Sequence, residues 1–340
     1  MELKFFIVYS VKQNQGDFIS QKTFDTTKHD TTLNCMIVLN KKEVQQNASL
    51  IPDKKGVYFF SCREDNLFFG IATNLRRRIN FLLSSAADDK IVFQMVSLSD
   101  SVSFIETDSL FEALLKAKLV NPVPEFNNRI RFYTDYYYLG ISFHKVPYFR
   151  ICENTQDDLF YIGPFRGRFF VYDFLQIMNE LFAFPACETE DFPCDLYKNK
   201  LCKGWCVSDN NELQTIIHSN YLNYNDALIS GLEEKQKKLY NDLDFSESDN
   251  LREKIGVIKK YYEQLEFLKK IKDVNTELEF KNIKCFIKNG MLIKTEENGQ
   301  TEYFTEDLTE FRENEKYAVN KDRLDEMWII YQHLVSNKKM

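Results

Sequence analysis

The sequence predicts a modular α+β protein, and three stretches carry that prediction. Residues 56–83 run from a short apolar stretch through a polar turn to a second apolar stretch and then a helix-like segment, the pattern of a hairpin feeding a helix. Residues 209–272 carry apolar side chains at three- and four-residue steps among charges, the period of packed helices. Residues 281–303 return to short strands around Asn289-Gly290, a pair suited to a tight hairpin turn.

Composition sets the limits. A chain of 340 residues can hold two or three domains with cores of their own. Apolar content of 44% and charged content of 28% are those of an ordinary globular protein. No apolar run approaches the roughly 20 residues of a membrane span. The start, MELKFFIVYSVKQ, has neither a positive leader nor a small-residue cleavage site. A cytoplasmic protein with reduced thiols is expected. The net charge of −7 excludes a protein coated in basic surface, so any contact with nucleic acid must use local patches.

In chain order, residues 1–50 form a β-rich unit with strand-like runs at Phe5 to Val11 and Leu33 to Leu39, and no motif. In residues 51–130, Gly56 to Phe60 reads as a buried strand and Leu67 to Gly70 as its partner. Asn74 then caps a helix from Leu75 to Leu83. The first turn of that helix holds Arg76, Arg77 and Arg78. Such a cluster can cradle phosphate or simply form a solvated face.

Residues 131–208 are aromatic-rich with interleaved arginines, a mixture that serves either a DNA contact or a core with a charged rim. Phe169 to Phe182 has the spacing of a core helix. Arg166 and Arg168, beside Gly163-Pro164, are the phosphate candidates. The stretch closes on Cys187, Cys194, Cys202 and Cys206, spaced C-x6-C-x7-C-x3-C with Gly204 in the last turn. Four thiolates on short loops hold zinc or an iron–sulfur cluster, and the residues alone do not choose between them. Core cysteines are one alternative; a disulfide is another but needs an oxidising compartment. Cys35, Cys62, Cys152 and Cys285 are scattered and read as structural thiols.

Residues 209–272 form two helices broken at Asp244-Phe245-Ser246, an antiparallel hairpin with Leu232, Leu239, Leu243, Leu251, Ile255 and Ile258 on one face. Residues 273–340 read as a small appended α/β unit, with two strands around Asn289-Gly290, a third in GQTEYF and a closing helix from Leu324 to Val335.

The stretch IPDKKGVYFFSCREDNLFFGIATNLRRRI resembles the GIY-YIG nuclease module as found in the UvrC family of excision-repair endonucleases. The resemblance continues through ETDSLFEALLKAKLVNPVPEFN, FYIGPFRGRFF and PCDLYKNKLCKGWC, over residues 50–270 in all. It implies a small mixed sheet with helices and a site for metal-dependent phosphodiester cleavage, in which a cation and a guanidinium neutralise developing charge. Tyr58, Gly70, Arg78 and Asn127 match the family pattern. Phe68 stands in place of the second tyrosine, Ile71 in place of a lysine, and Lys116 in place of the metal-binding glutamate. Glu112, one turn earlier on the same helix face, is the candidate substitute.

The resemblance further implies an iron–sulfur centre of the 4Fe–4S type on Cys187, Cys194, Cys202 and Cys206. The family's UVR motif is matched at Leu243, Asp244, Phe245, Leu251 and Arg252, which implies a UvrB-like partner docking on Phe245. Arg76, Arg77, Arg166 and Arg168 are the implied DNA contacts. The RNase-H-like domain and helix–hairpin–helix tail of the full-length family find no room in this sequence. Two functions follow. One is a catalytically degenerate repair protein that binds DNA or a UvrB-like partner. The other is a short endonuclease using Mg2+ or Mn2+ in a divergent site. A zinc-stabilised interaction protein with no role at DNA is a third class.

Overall fold

The computed structural model describes residues 36–63, 65–84, 90–120, 135–142, 147–184, 192–205, 207, 211–304 and 317–337. The chain divides into two compact units, Met1–Met36 and Ile37–Met340, and Met36 is all that is described of the first. The expected strand at Phe5 to Val11 therefore lies outside the described residues.

The first sheet grows from one strand. In β2 (Lys55–Cys62) the run Val57-Tyr58-Phe59-Phe60 is apolar on both faces, so the strand is buried on both and must lie centrally. The sheet order is β1 (Ile37–Asn40), β4 (Ser101–Thr107), β2, β3 (Asp65–Ala72). The resemblance implied a mixed sheet, but every pairing here is antiparallel. The reason is topological. The helical crossover joins β3 to β4, which run the same way, but β2 lies between them and no parallel ladder forms.

Around this sheet lie α1 (Lys41–Gln46), α2 (Leu75–Leu83), α3 (Lys90–Leu98) and α4 (Leu110–Val120). The Asn74 side chain caps α2 by accepting from the Arg77 N–H at 2.8 Å. Leu75, Ile79 and Leu82 then share a core with Tyr58, Phe60 and Phe104.

A second sheet has the order β12 (Tyr317–Ala318), β7 (Phe160–Arg166), β5 (Tyr136–Ile141), β6 (Phe149–Cys152), with β12 parallel to β7. After β7 come α5 (Arg168–Phe182), α6 (Asp195–Lys198) and α7 (Asn211–Asn220). The helical hairpin is α8 (Asp226–Asn241) and α9 (Phe245–Ile271), with Leu243 at φ 64 in the corner and Asp244 capping α9. The third sheet is an antiparallel meander of β8 (Thr276–Phe280), β9 (Ile283–Lys288), β10 (Met291–Glu297) and β11 (Gln300–Tyr303). Asn289 and Gly290 both take positive φ at its central turn, as a two-residue hairpin demands. The chain then reaches α10 (Leu324–Ser336).

One core joins most of these pieces. Ile141 and Ile162 of the second sheet, Phe174 of α5, Tyr261 and Leu268 of α9 and Met327 of α10 belong to a single buried cluster. Residues 273–340, read from sequence as an appendage, thus supply a strand to the second sheet and side chains to the shared core. Among the described residues no helix is long and apolar enough to cross a membrane.

Candidate functional site

The hairpin β2–β3 brings Tyr58 opposite Gly70. A Cβ on Gly70 would collide with the Tyr58 hydroxyl oxygen, so glycine is what lets the phenol lie across the neighbouring strand. Arg78 of α2 donates from Nε to that hydroxyl at 3.3 Å. Burial pushes the Tyr58 phenol above its ordinary pKa, and the Arg78 guanidinium offsets part of that rise. The phenol is therefore neutral at physiological pH and is not a phenolate base. Phe68 lies with its ring 6.1 Å from that of Tyr58 and adds no hydroxyl. Ile71 is buried.

The three helix arginines have three different fates. Arg76 donates to the Ile51 carbonyl at 2.6 Å and pairs with Asp53, so it fastens α2 to the preceding segment. Arg77 is exposed. Arg78 reaches the tyrosine. Asn127 lies outside the described residues.

Glu112, the candidate substitute for the metal carboxylate, is buried and already occupied. The Glu112 N–H donates to Ser109 Oγ at 3.1 Å, and the Asp108 N–H donates to Glu112 Oε2 at 3.2 Å. This resembles a capping box at the start of α4, with the carboxylate reaching one residue past the Ser109 cap to the Asp108 N–H. Its Oε1 meets two ammonium groups, Lys116 Nζ at 3.3 Å and Lys281 Nζ at 2.9 Å. Burial alone would raise the carboxyl. The Lys281 hydrogen bond, the Asp108 N–H and the charge of Lys116 together hold it below the usual carboxylate range. Lys281 comes from the β8–β9 turn of the third sheet, at φ 48. Around this contact α4 is covered further, since Phe111 stacks on His333 at 4.2 Å and meets Phe280 edge-on at 5.5 Å. A divalent ion does not fit a carboxylate so neutralised. The sequence carried a signal for this role in Ser109-x-x-Glu112; nothing local pointed to Lys281.

The two other arginines also part company. Arg166 Nη2 donates to Asp325 Oδ1 at 2.8 Å, while Asp325, fully buried in α10, also accepts from the Tyr136 hydroxyl. Arg166 is thus engaged in holding α10 against the second sheet. Arg168, at the start of α5, is exposed and borders a polar cavity of about 370 Å³ with Tyr137, Arg150, Glu153 and Asp157. The acids balance the arginines there, and Arg150 is paired with Asp157 at 3.1 Å.

Of the four predicted metal ligands, Cys194 and Cys202 are described; Cys187 and Cys206 lie outside the described residues. Cys194 directly precedes α6. Cys202 is buried, and the Gly204 N–H donates to its sulfur at 3.3 Å. Gly204 takes φ 80, with Tyr197 packed where a side chain would point. Trp205 is buried and donates to the Ala183 carbonyl at 2.9 Å. The geometry of this turn fits a sulfur ligand at Cys202. Among the described residues no group of three or more His, Cys, Asp or Glu is placed to hold a metal.

At the hairpin, Leu232, Leu251, Ile255 and Ile258 are buried, whereas Leu243, expected on the same face, is 72% exposed at the corner. Phe245, 49% exposed, meets the exposed ring of Tyr240 edge-on at 5.3 Å. Ser248 is buried between the helices and accepts from Gln236 Nε2 at 2.8 Å, which explains the need for a small residue there. The corner thus presents three apolar side chains to solvent.

No protein-family model matches the chain. Among curated proteins it is 28% identical to the UvrABC system protein C of Thermotoga petrophila over 175 residues, which are 50% of this chain and 31% of that protein. It is 29% identical to that of Finegoldia magna over 233 residues, 63% of this chain and 37% of the relative. With Fervidobacterium nodosum the identity is 26% over 218 residues, 60% and 38% of the two chains. The matched part of the chain spans 31–38% of the length of these curated relatives. Among solved structures it is similar to the GIY-YIG N-terminal endonuclease domain of UvrC from Thermotoga maritima bound to magnesium, at 26% identity and TM-score 0.21, covering 24% of this chain and 89% of that one.

Proposed function

We propose, from the premise that this chain is a relative of the UvrC proteins, that it works in excision-type DNA repair by holding DNA and a UvrB-like partner without cutting through its GIY-YIG-like module. One contrast supports this reading, between the arginine–tyrosine pair at Arg78 and Tyr58 and the groups at Phe68 and Glu112. Arg78 still meets the Tyr58 hydroxyl. Phe68 supplies no second hydroxyl, and Glu112 is held by two lysines.

DNA binding falls to Arg77 and Arg78, with Arg168 farther along the chain. Arg76 and Arg166 have no place in that path, because each is already paired with an aspartate. The partner docks on the hairpin corner, where Tyr240, Leu243 and Phe245 stand exposed, since exposed aromatic rings are typical anchors of an interface. Cys187, Cys194, Cys202 and Cys206 would hold an iron–sulfur cluster, with zinc as the alternative; when bound, either would cross-link the short loops that carry these cysteines.

The test uses the full chain on duplex DNA, in a salt series and with Mg2+ or Mn2+. Salt-dependent binding is expected, and Arg78→Ala should weaken it across sequences and lower the salt slope by about one. No metal-dependent nicking is expected. Nicking that disappears in Arg78→Ala would establish the active-endonuclease reading instead, and an absence of DNA binding would sink both.

A further inference from the structure

The residues at the family's metal position disagree with a metal, and the disagreement has a definite form. Lys116 stands where the resemblance places the ion's carboxylate. The neighbouring Glu112 is bound on Oε2 by the Asp108 N–H at 3.2 Å and on Oε1 by the Lys116 and Lys281 ammonium groups at 3.3 and 2.9 Å. Both carboxylate oxygens are therefore spoken for. Lys116 belongs to the same helix, one turn on. Lys281 does not: it reaches Glu112 from the turn between β8 and β9, with Asp108 also within 3.8 Å of its ammonium. That turn is seated by Phe280 against Phe111 and His333.

We infer that Lys281 is a built-in cation, delivered by the third sheet onto α4, which occupies the coordination capacity of Glu112 and closes the module to divalent metal. The inference rests on reading α4 as the helix that carries the metal ligand in the family. A lysine is suited to the task. Its ammonium is a compact charge with three donors, and it satisfies a buried carboxylate without the open coordination positions and bound waters that a hard divalent cation brings. An ion approaching Glu112 would have to displace two like charges, and repulsion at such distances outweighs what a single carboxylate offers. DNA contact at α2 then proceeds without metal, which fits a protein that holds DNA and does not hydrolyse it.

The test reads metal uptake rather than cleavage. Mn2+ binding to the full chain is followed by the loss of its free-ion paramagnetic resonance signal. The chains compared are wild type, Glu112→Gln, Lys281→Gln, and the double variant Lys116→Glu with Lys281→Gln. Wild type should take up no Mn2+ beyond what Glu112→Gln does. The double variant, which restores the carboxylate and removes the cation, should gain affinity by about tenfold or more. Lys281→Gln alone alters a side chain that is 57% exposed, so it should fold even if the double variant does not, and it should show a smaller gain. Wild-type uptake that is lost in Glu112→Gln would overturn the inference. A folded Lys281→Gln with no gain would overturn it too. Failure of DNA binding, by contrast, would strike the proposed function and leave these metal measurements standing.

Discussion

Lys118 of α4 and Glu326 of α10 form an ion pair at 2.8 Å with both side chains sealed from solvent. The pair is embedded in further bonds. Lys118 also donates to the Leu292 carbonyl at 3.3 Å, and Glu326 accepts from the Leu292 N–H at 3.1 Å. Phe304 lies with its ring 5.5 Å from the ammonium. One helix of the GIY-YIG-like module is thereby joined to the third sheet and the last helix through a single buried contact.

Removing one partner leaves the other as an uncompensated buried charge. Glu326→Ala should therefore lower stability by about 3–5 kcal/mol, whereas Lys118→Met combined with Glu326→Gln should cost distinctly less. Denaturant unfolding of the full chain measures both. Equal losses in the two variants would mean that packing around the pair, not its charge, sets the stability.

The held carboxylate at Glu112 gives a pH dependence whose sign follows from its direction of shift. Its folded pKa lies below the ordinary value, near 4.3 for an unfolded glutamate. The contribution to stability is therefore complete above that unfolded value and is lost as pH falls through the lower folded one. Glu112→Gln should flatten the acid limb of a stability profile below about pH 4 and shift the neutral baseline downward. An acid limb identical to wild type would show that the lysines do not hold this carboxylate.

Phe245 is half exposed and touches Tyr240 at the corner, so it contributes little to the folded core. Phe245→Ala should leave the melting temperature almost unchanged while weakening a UvrB-like partner by about 2 kcal/mol or more. Calorimetric titration against such a partner reads this directly. Unchanged affinity would leave the corner as scaffold.

The proposed ligand set at Cys187, Cys194, Cys202 and Cys206 carries a cofactor signature that can be measured. Protein purified without air should contain iron and inorganic sulfide and lose both in Cys202→Ser, which should also melt lower because the Gly204 N–H is bonded to that sulfur. Stoichiometric zinc without sulfide would make the site a zinc knuckle. Neither metal, with the fold intact, would remove the ligand assignment.

Local signals were legible and long-range ones were not. Asn74 and the apolar period of α2 marked that helix from Leu75 to Leu83, and Asn289-Gly290 marked its hairpin, because both depend on residues adjacent in sequence. The strand Thr276–Phe280 escaped notice, since Glu277 and Glu279 make it read as a solvated stretch. The roles of Lys118, Lys281, Asp325 and Glu326 were invisible for a different reason. Charged residues on helix and turn positions look like surface until the fold brings a partner from far along the chain. Arg166 is the counterpart of that lesson, a cation that looked free for phosphate and is paired with Asp325.

The two-residue strand β12, laid parallel against Ile162 and Gly163, bears on how this protein can be cut for study. A fragment ending after the helical hairpin would discard β12 and α10. It would discard the third sheet as well, strip from Lys118 its partners Glu326 and Leu292, part Arg166 and Tyr136 from Asp325, and bare one edge of the second sheet. Open strand edges and newly exposed apolar core are what make truncated proteins aggregate. Expression plasmids that omit the region read from sequence as an appendage would thus yield insoluble material, and isolated pieces would misreport what the intact chain binds.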